Sequence, residues 1–119
     1  MTIGDKMPSG YNYTADIEKI RTYVLNLAHK RGGDKAYILR QVLGYTQDDA
    51  EEFRQFILEN VEAGTIKKIE DTVWGQKIRV DINTGIINHK GEAILLTAWI
   101  QEDLDKNELR LTTAYIQGR

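Results

Sequence analysis

The spacing of apolar residues changes once along this chain, at Thr65, and that change limits the fold more than any other feature. Before it, apolar residues recur at the 3 and 4 spacing of helices; after it, they alternate. Helices first and strands second predict an α+β fold rather than repeated β-α-β units. With 119 residues the chain has the length of one domain and can bury a core without disulfides or a structural metal.

In the first half, Ile17, Ile20, Val24 and Leu27 mark one amphipathic helix, with Thr14 as N-cap, Glu18 in its first turns and an end near Gly32. Asp34 suits the cap of a second helix, with Ala36, Ile38, Leu39 and Val42 inward and Gly44 as its stop. Thr46 caps a third. Its Asp48, Asp49, Glu51 and Glu52 favour the positive end of the helix dipole, Phe53, Phe56, Ile57 and Val61 form the buried stripe, and Gly64 ends it.

In the second half, "TIKKIED" and "TVWGQKIRVDI" read as strands, with Ile78, Val80 and Ile82 alternating against Lys77, Arg79 and Asp81. "NTG" reads as a turn. "EAILLTAWIQ" is apolar enough to be central, and "ELRLTTAYIQ" closes the chain after the polar turn "EDLDKN". The expected architecture is an N-terminal three-helix segment packed on a four- to five-stranded antiparallel sheet. It forms one domain over residues 14–119, behind a flexible leader, 1–13, that contains Gly, Pro and Ser.

Composition removes several chemistries. No apolar run approaches the length that spans a bilayer, and "MTIGDKMPSGYNYT" lacks a signal-peptide core, so a cytoplasmic protein without a membrane partner is expected. The absence of cysteine excludes disulfides, thiolate zinc sites and thiol nucleophiles. Ser9, the one serine, lies in the leader, where nothing would hold it beside a base, which excludes a Ser-His-Asp triad. His29 and His89 show no metal-ligand spacing, so neither metal nor cofactor is expected.

A net charge of -2 gives no general pull toward nucleic acid, yet the charge is unevenly placed. Between residues 19 and 40 stand Lys19, Arg21, Lys30, Arg31, Lys35 and Arg40 against Asp34 alone, and the helix that follows is acidic. Such asymmetry marks either an anion-binding face or an ordinary solvated helix surface. "LAHKRGGDKAYI", residues 27–38, poses the same choice. Its glycines precede a helix N-terminus, where free N–H groups attract anions, but it follows a helix, and Lys35 precedes alanine where a P-loop has Ser or Thr. As a plain corner, Gly32 or Gly33 takes the left-handed position, His29, Lys30 and Arg31 complement the first helix's negative end, and Asp34 caps the second.

"KIRTYVLNLAHKRGGDKAYILRQVLGY", then "WGQKIRVDINTGIINHKGEAILLTAWI" and "LRLTTAY", resemble a largely uncharacterised family of small bacterial domains. The shared pattern is Asn-x-x-His-x-x-Gly-x-x-Lys between two helices, Leu-Gly-Phe/Tyr, an acidic helix, a Trp-bearing strand and a final Thr-Ala-Tyr. Its members stand alone or at the ends of large secreted polymorphic toxins. The resemblance spans about residues 17–116 and implies a toxin-like domain of the metal-independent ribonuclease group that includes barnase, EndoU, colicin and RelE. Its motif falls on Asn26, His29, Gly32 or Gly33, Lys35, Gly44, Trp99, Thr113 and Tyr115; Lys30 stands where the family usually has proline.

RNA cleavage through the 2′-hydroxyl needs a base, an acid and cations for the phosphorane, without metal or thiol. The implied catalytic set is His29 as base or acid, Lys35 as oxyanion stabiliser, and Tyr115 or Thr113 as hydrogen-bond donor. Arg31, Gly33 and Trp99 would bind substrate, Trp99 by stacking a base or else simply packing in the core. Regular alternation puts Thr113 and Tyr115 on the face of Leu109 and Leu111. RNA is the implied partner. The rival reading is a non-catalytic module, protein-binding, immunity-like or regulatory, with a cognate protein partner. An uncovered strand edge would also fit a homodimer. His89 reads as a turn residue, and the acidic third helix argues against a DNA recognition helix.

Overall fold

The computed structural model describes residues 1–89 and 91–117. Its elements run β1 (Asn12–Thr14), α1 (Ile17–Lys19) continuing as a π-helical turn (Ile20–Val24), α2 (Gly33–Leu43), a 3-10 turn (Gln47–Asp49) leading into α3 (Ala50–Asn60), a second 3-10 turn (Val61–Ala63), then β2 (Thr65–Thr72), β3 (Gly75–Asn88), β4 (Gly91–Gln101) and β5 (Glu108–Ile116). The fold is α+β, with three helices and a five-stranded, mostly antiparallel sheet of order β1-β5-β4-β3-β2. The helices do not form an N-terminal block, because β1 precedes them and pairs parallel to β5.

One face of the sheet meets the helices. Ile78, Val80 and Ile82 of β3, Leu95 and Trp99 of β4, and Leu109, Leu111, Ala114 and Ile116 of β5 share a core with Ile20, Leu39, Phe53 and Ile57. Leu96 and Ile100 point to the opposite face and are buried outside that core. The flanking strands set long side chains on that face: Arg79 and Asp81 from β3, Tyr115 and Arg110 from β5.

The first helix is shorter than its apolar spacing predicts. Asp16, rather than Thr14, caps it, its side chain accepting from Glu18 N at 2.8 Å, while Thr14 belongs to β1. The helix stops at Val24 instead of near Gly32 because Asn26 bonds the backbone locally: its Nδ2 donates to Thr22 O at 3.0 Å and its Oδ1 accepts from Ala28 N at 3.0 Å. At α2 the N-cap is Gly32, and Asp34 sits inside the first turn. Gly44 ends α2 with φ 81, the left-handed conformation that favours glycine. Thr46 does open the acidic stretch, its N–H donating to the Asp49 carboxylate at 2.8 Å.

Two strand details also depart from simple alternation. "NTG" does not turn the chain. β3 runs through it with a register shift between Asn83 and Ile87, Gly85 taking φ 77, and the chain reverses only between Asn88 and Gly91, where exposed His89 lies. In β5, Ala98 faces Thr113 while Trp99 faces Leu111, so Thr112 is the extra residue of a bulge, its Oγ1 donating to Ala98 O at 3.1 Å. The bulge reverses the expected parity. Leu109 and Leu111 point to the helices, and Thr113 and Tyr115 point away from them.

Residues 1–13, expected as a flexible leader, are fastened at two places. Gly4 N donates to Ile66 O, Ile66 N donates to Asp5 O, and Lys6 bridges Thr65 at the β2 edge; β1 then pairs with β5 on the far side. Met7, between these attachments, is buried in the core.

Candidate functional site

The loop between the π-turn and α2 is organised by His29. Its Nδ1 accepts from Arg31 N at 3.1 Å and Gly32 N at 3.2 Å, N–H groups that the start of α2 would otherwise leave unpaired. The ring stands edge-on to Tyr23, centroids 4.7 Å apart, and the His29 carbonyl accepts from Gly33 N. With its Nδ1 lone pair so engaged, the neutral ring carries its proton on Nε2, an assignment made from the hydrogen bonds. Gly32 has φ -110, and neither it nor Gly33 is left-handed.

Lys35, exposed on the first turn of α2, holds its Nζ 4.1 Å from the centre of the Tyr115 ring. Two candidates eighty residues apart in sequence thus meet at the edge of β5, beyond the part that β1 covers. Beside them α2 and β5 leave a cleft of about 370 Å³ lined by Asp34, Lys35, Tyr37, Ile38 and Ile116. Thr113 lies on the same sheet face as Tyr115, one residue pair along. Arg31 is exposed on the loop. Asn26 lines a different cleft, of about 400 Å³, with Arg40, Thr46, Gln47 and Asp48.

Trp99 cannot stack a base. It is 0% exposed, its indole N–H donates to Thr97 Oγ1 at 2.8 Å, and Tyr13 packs edge-on against it. The ring and hydrogen-bond partners of His29 are Tyr23, Arg31 and Gly32, all at the loop, whereas Lys35 pairs with Tyr115 at the α2–β5 edge.

Arg79 and Asp81 form a polar pair outside the motif positions. Arg79 Nε and Nη2 donate to Asp81 Oδ1 and Oδ2 at 3.1 and 3.3 Å, on the face without helices. With the Gln117 amide oriented by its partners, its nitrogen donates to Asp81 Oδ2 at 3.0 Å and its oxygen accepts from Arg79 Nη2 at 2.9 Å. One signal was present in the sequence: Lys77, Arg79 and Asp81 alternate against Ile78, Val80 and Ile82, which places a base and an acid side by side on one strand face.

Two tyrosines outside this region have altered acidity. Burial, then the nearby Glu62 and Tyr11, pushes the Tyr13 phenol up to about 12, and its hydroxyl donates to Pro8 O at 2.7 Å. Burial, then Glu52 and Asp49, raises Tyr45. Among the described residues no three His, Asp or Glu side chains gather as a metal site, and no helix is long and apolar enough to cross a membrane.

Residues 6–118 match the model of a family described as Domain of unknown function (DUF6883). No curated protein and no solved structure matches the chain.

Proposed function

Because the chain belongs to the DUF6883 family, whose description names no activity, we propose a function from its own residues: metal-independent cleavage of RNA at the α2–β5 edge. The observation that carries this reading is the Lys35 ammonium 4.1 Å over the Tyr115 ring, a cation and a phenol at one open edge. In the reaction, the 2′-hydroxyl loses its proton to solvent water as its oxygen attacks phosphorus, and the 5′-oxygen leaves, giving a 2′,3′-cyclic phosphate. Lys35 offers positive charge to the phosphorane and a proton to the departing oxygen; the Tyr115 and Thr113 hydroxyls donate to its non-bridging oxygens. Arg31 holds an adjacent phosphate. His29 donates through Nε2–H and shapes the loop, and Gly33 lets the loop turn tightly.

The second reading is a non-catalytic module, protein-binding, immunity-like or regulatory, and one observation favours it. The Nδ1 lone pair of His29 is spent on Arg31 and Gly32, so the imidazole cannot serve there as a base without opening the loop. Incubation of the purified protein with total RNA and EDTA separates the two. The cleavage reading expects cyclic-phosphate ends from the parent and a loss of about 100-fold or more in Lys35→Ala, the usual scale for acid–base groups. His29→Ala should lose activity through disorder of the loop. No cleavage by the parent, or equal cleavage by all three proteins, leaves the non-catalytic module.

A further inference from the structure

Asp34 supplies the one carboxylate of the α2–β5 cleft, whose other lining residues are Lys35, Tyr37, Ile38 and Ile116. Tyr37 and Ile38 follow it on α2 at i+3 and i+4, so acid, ring and aliphatic side chain lie on one face of the helix. Asp16, Asp49 and Asp81 accept hydrogen bonds from neighbouring groups. The exposed Asp34 side chain accepts none among the described residues. The helix dipole accounts for an acid in this turn. It does not account for the open apolar wall beside that acid, where Tyr37 is 54% exposed next to Ile38 and Ile116.

This combination fits an unstacked nucleobase, which proteins hold by stacking on aromatic or aliphatic side chains and by hydrogen bonds to its Watson–Crick edge. Tyr37 offers the stacking surface that buried Trp99 does not. The volume of about 370 Å³ lies in the range of small-ligand clefts. A carboxylate only accepts, through two oxygens side by side, so it selects an edge with two adjacent donors. Guanine has them, at N1 and at the 2-amino group. Adenine and cytosine each set a ring acceptor beside their amine, and uracil flanks N3–H with two carbonyls, so each brings a lone pair against the carboxylate. Asp34 and Lys35 are consecutive residues, and one nucleotide can therefore place its base on the first and its own 3′-phosphate by the ammonium of the second.

We propose that the α2–β5 cleft is a guanine subsite, in which the Asp34 carboxylate accepts from N1–H and the 2-amino group while the base lies against Tyr37; this specificity rests on the RNA-cleavage reading above. Cleavage then falls on the 3′ side of guanosine. Of the four ordinary nucleosides, guanosine alone satisfies both carboxylate oxygens. Inosine, which lacks the 2-amino group, keeps one of the two hydrogen bonds.

The test uses five single-stranded DNA oligonucleotides of one sequence, each carrying a single ribonucleotide at the same position: guanosine, adenosine, cytidine, uridine or inosine. Only that position has a 2′-hydroxyl, so each substrate reports one base. The parent should cut the guanosine substrate at least about tenfold faster than the adenosine, cytidine and uridine substrates, within the discrimination of one bidentate base contact, and the inosine substrate at an intermediate rate. Asp34→Asn, which exchanges an acceptor for a donor, should bring the ratio of guanosine to adenosine cleavage to about threefold or less. If Asp34→Asn does not fold, the inosine comparison on the parent carries the test. Equal cleavage of all five, preference for another base, inosine cut as fast as guanosine, or an unchanged ratio in folded Asp34→Asn overturns the guanine subsite and leaves the RNA-cleavage reading standing. A parent that cuts total RNA but none of the five also overturns the subsite alone, and a parent that cuts neither overturns both.

Discussion

A methyl group built on Gly33 would stand 2.5 Å from the Leu27 carbonyl oxygen, and one on Gly32 would stand 2.9 Å from the Tyr23 ring. The two glycines therefore answer to crowding inside the loop, where a left-handed turn was the natural reading of a Gly-Gly pair after a helix. A ring can tilt, but a carbonyl moves only with its chain. Gly33→Ala should accordingly cost about 1–3 kcal/mol, the range for overpacking, and more than Gly32→Ala; urea unfolding of the two variants measures the difference. Equal midpoints would show that the Leu27 backbone gives way freely. His29 is a related case. Its Nδ1 accepts from two backbone N–H groups, so His29→Ala should cost about 1 kcal/mol, as loss of a helix cap does, while His29→Asn keeps an acceptor and should cost less. Sequence marked His29 as notable but could not assign it, because a ring that organises a loop and a ring that moves a proton occupy the same place in a motif.

At the scale of elements, the alternation of β3 was legible because Ile78, Val80 and Ile82 face one continuous core. The same rule failed on β5. A single extra residue, Thr112, inverts every position after it, and nothing in "LRLTTAY" announces a bulge. For that reason regular alternation puts Tyr115 among the leucines, whereas it stands opposite Leu96, in one row with Asp81. The first helix failed for a different reason: its apolar spacing continues to Leu27, but the Asn26 side chain takes up backbone groups that a longer helix would need. Deleting Thr112 tests the bulge. It would restore regular alternation while leaving Leu109 and Leu111 on one side of the gap, and Ala114 and Ile116 on the other, pointing to the helices. The deletion variant should fold, at a cost near the roughly 1 kcal/mol of the lost hydrogen bond to Ala98. Loss of the cooperative unfolding transition in urea would mean that the bulge also sets the curvature of the sheet.

β1 has its own signature at high pH. The Tyr13 phenol is held up to about 12 against an ordinary 10, chiefly by burial. The unfolded chain therefore releases this proton at lower pH than the folded one. The contribution is fully present below pH 10 and is lost as pH rises through the folded value near 12. Parent stability should fall across that window more steeply than that of Tyr13→Phe, which has no proton to lose; urea midpoints at stepped pH read this directly. Parallel pH profiles would remove Tyr13 as the cause.

For the whole molecule, the first fourteen residues join edges that the rest of the sheet keeps apart. Asp5 and Lys6 meet β2, the outermost strand on one side, and Asn12 to Thr14 meet β5 on the other, with Met7 3% exposed between them. Along a flat sheet the five spacings from Lys6, outside β2, to β1 would take about 24 Å, more than the roughly 20 Å that six residue steps from Lys6 to Asn12 reach, so the sheet curls to bring its two edges closer. The Gly, Pro and Ser that read as a flexible leader instead let an extended segment bend at the sheet's edges, and the family match accordingly begins at residue 6. Both attachments are remote in sequence, Lys6 to Thr65 and Asn12 to Glu108, so neither is stabilised by local chain connectivity. Their stability must come from Met7 and from the Tyr13–Trp99 contact. Met7→Ala should therefore cost about 2–5 kcal/mol, the cost of a truncated core side chain, and removal of residues 1–11 should cost at least as much. Since Trp99 packs under Tyr13, its fluorescence should change in the deletion variant even in the absence of denaturant. A deletion that leaves both the urea midpoint and that fluorescence at parent values would return these residues to the status of a leader and the domain boundary to Thr14.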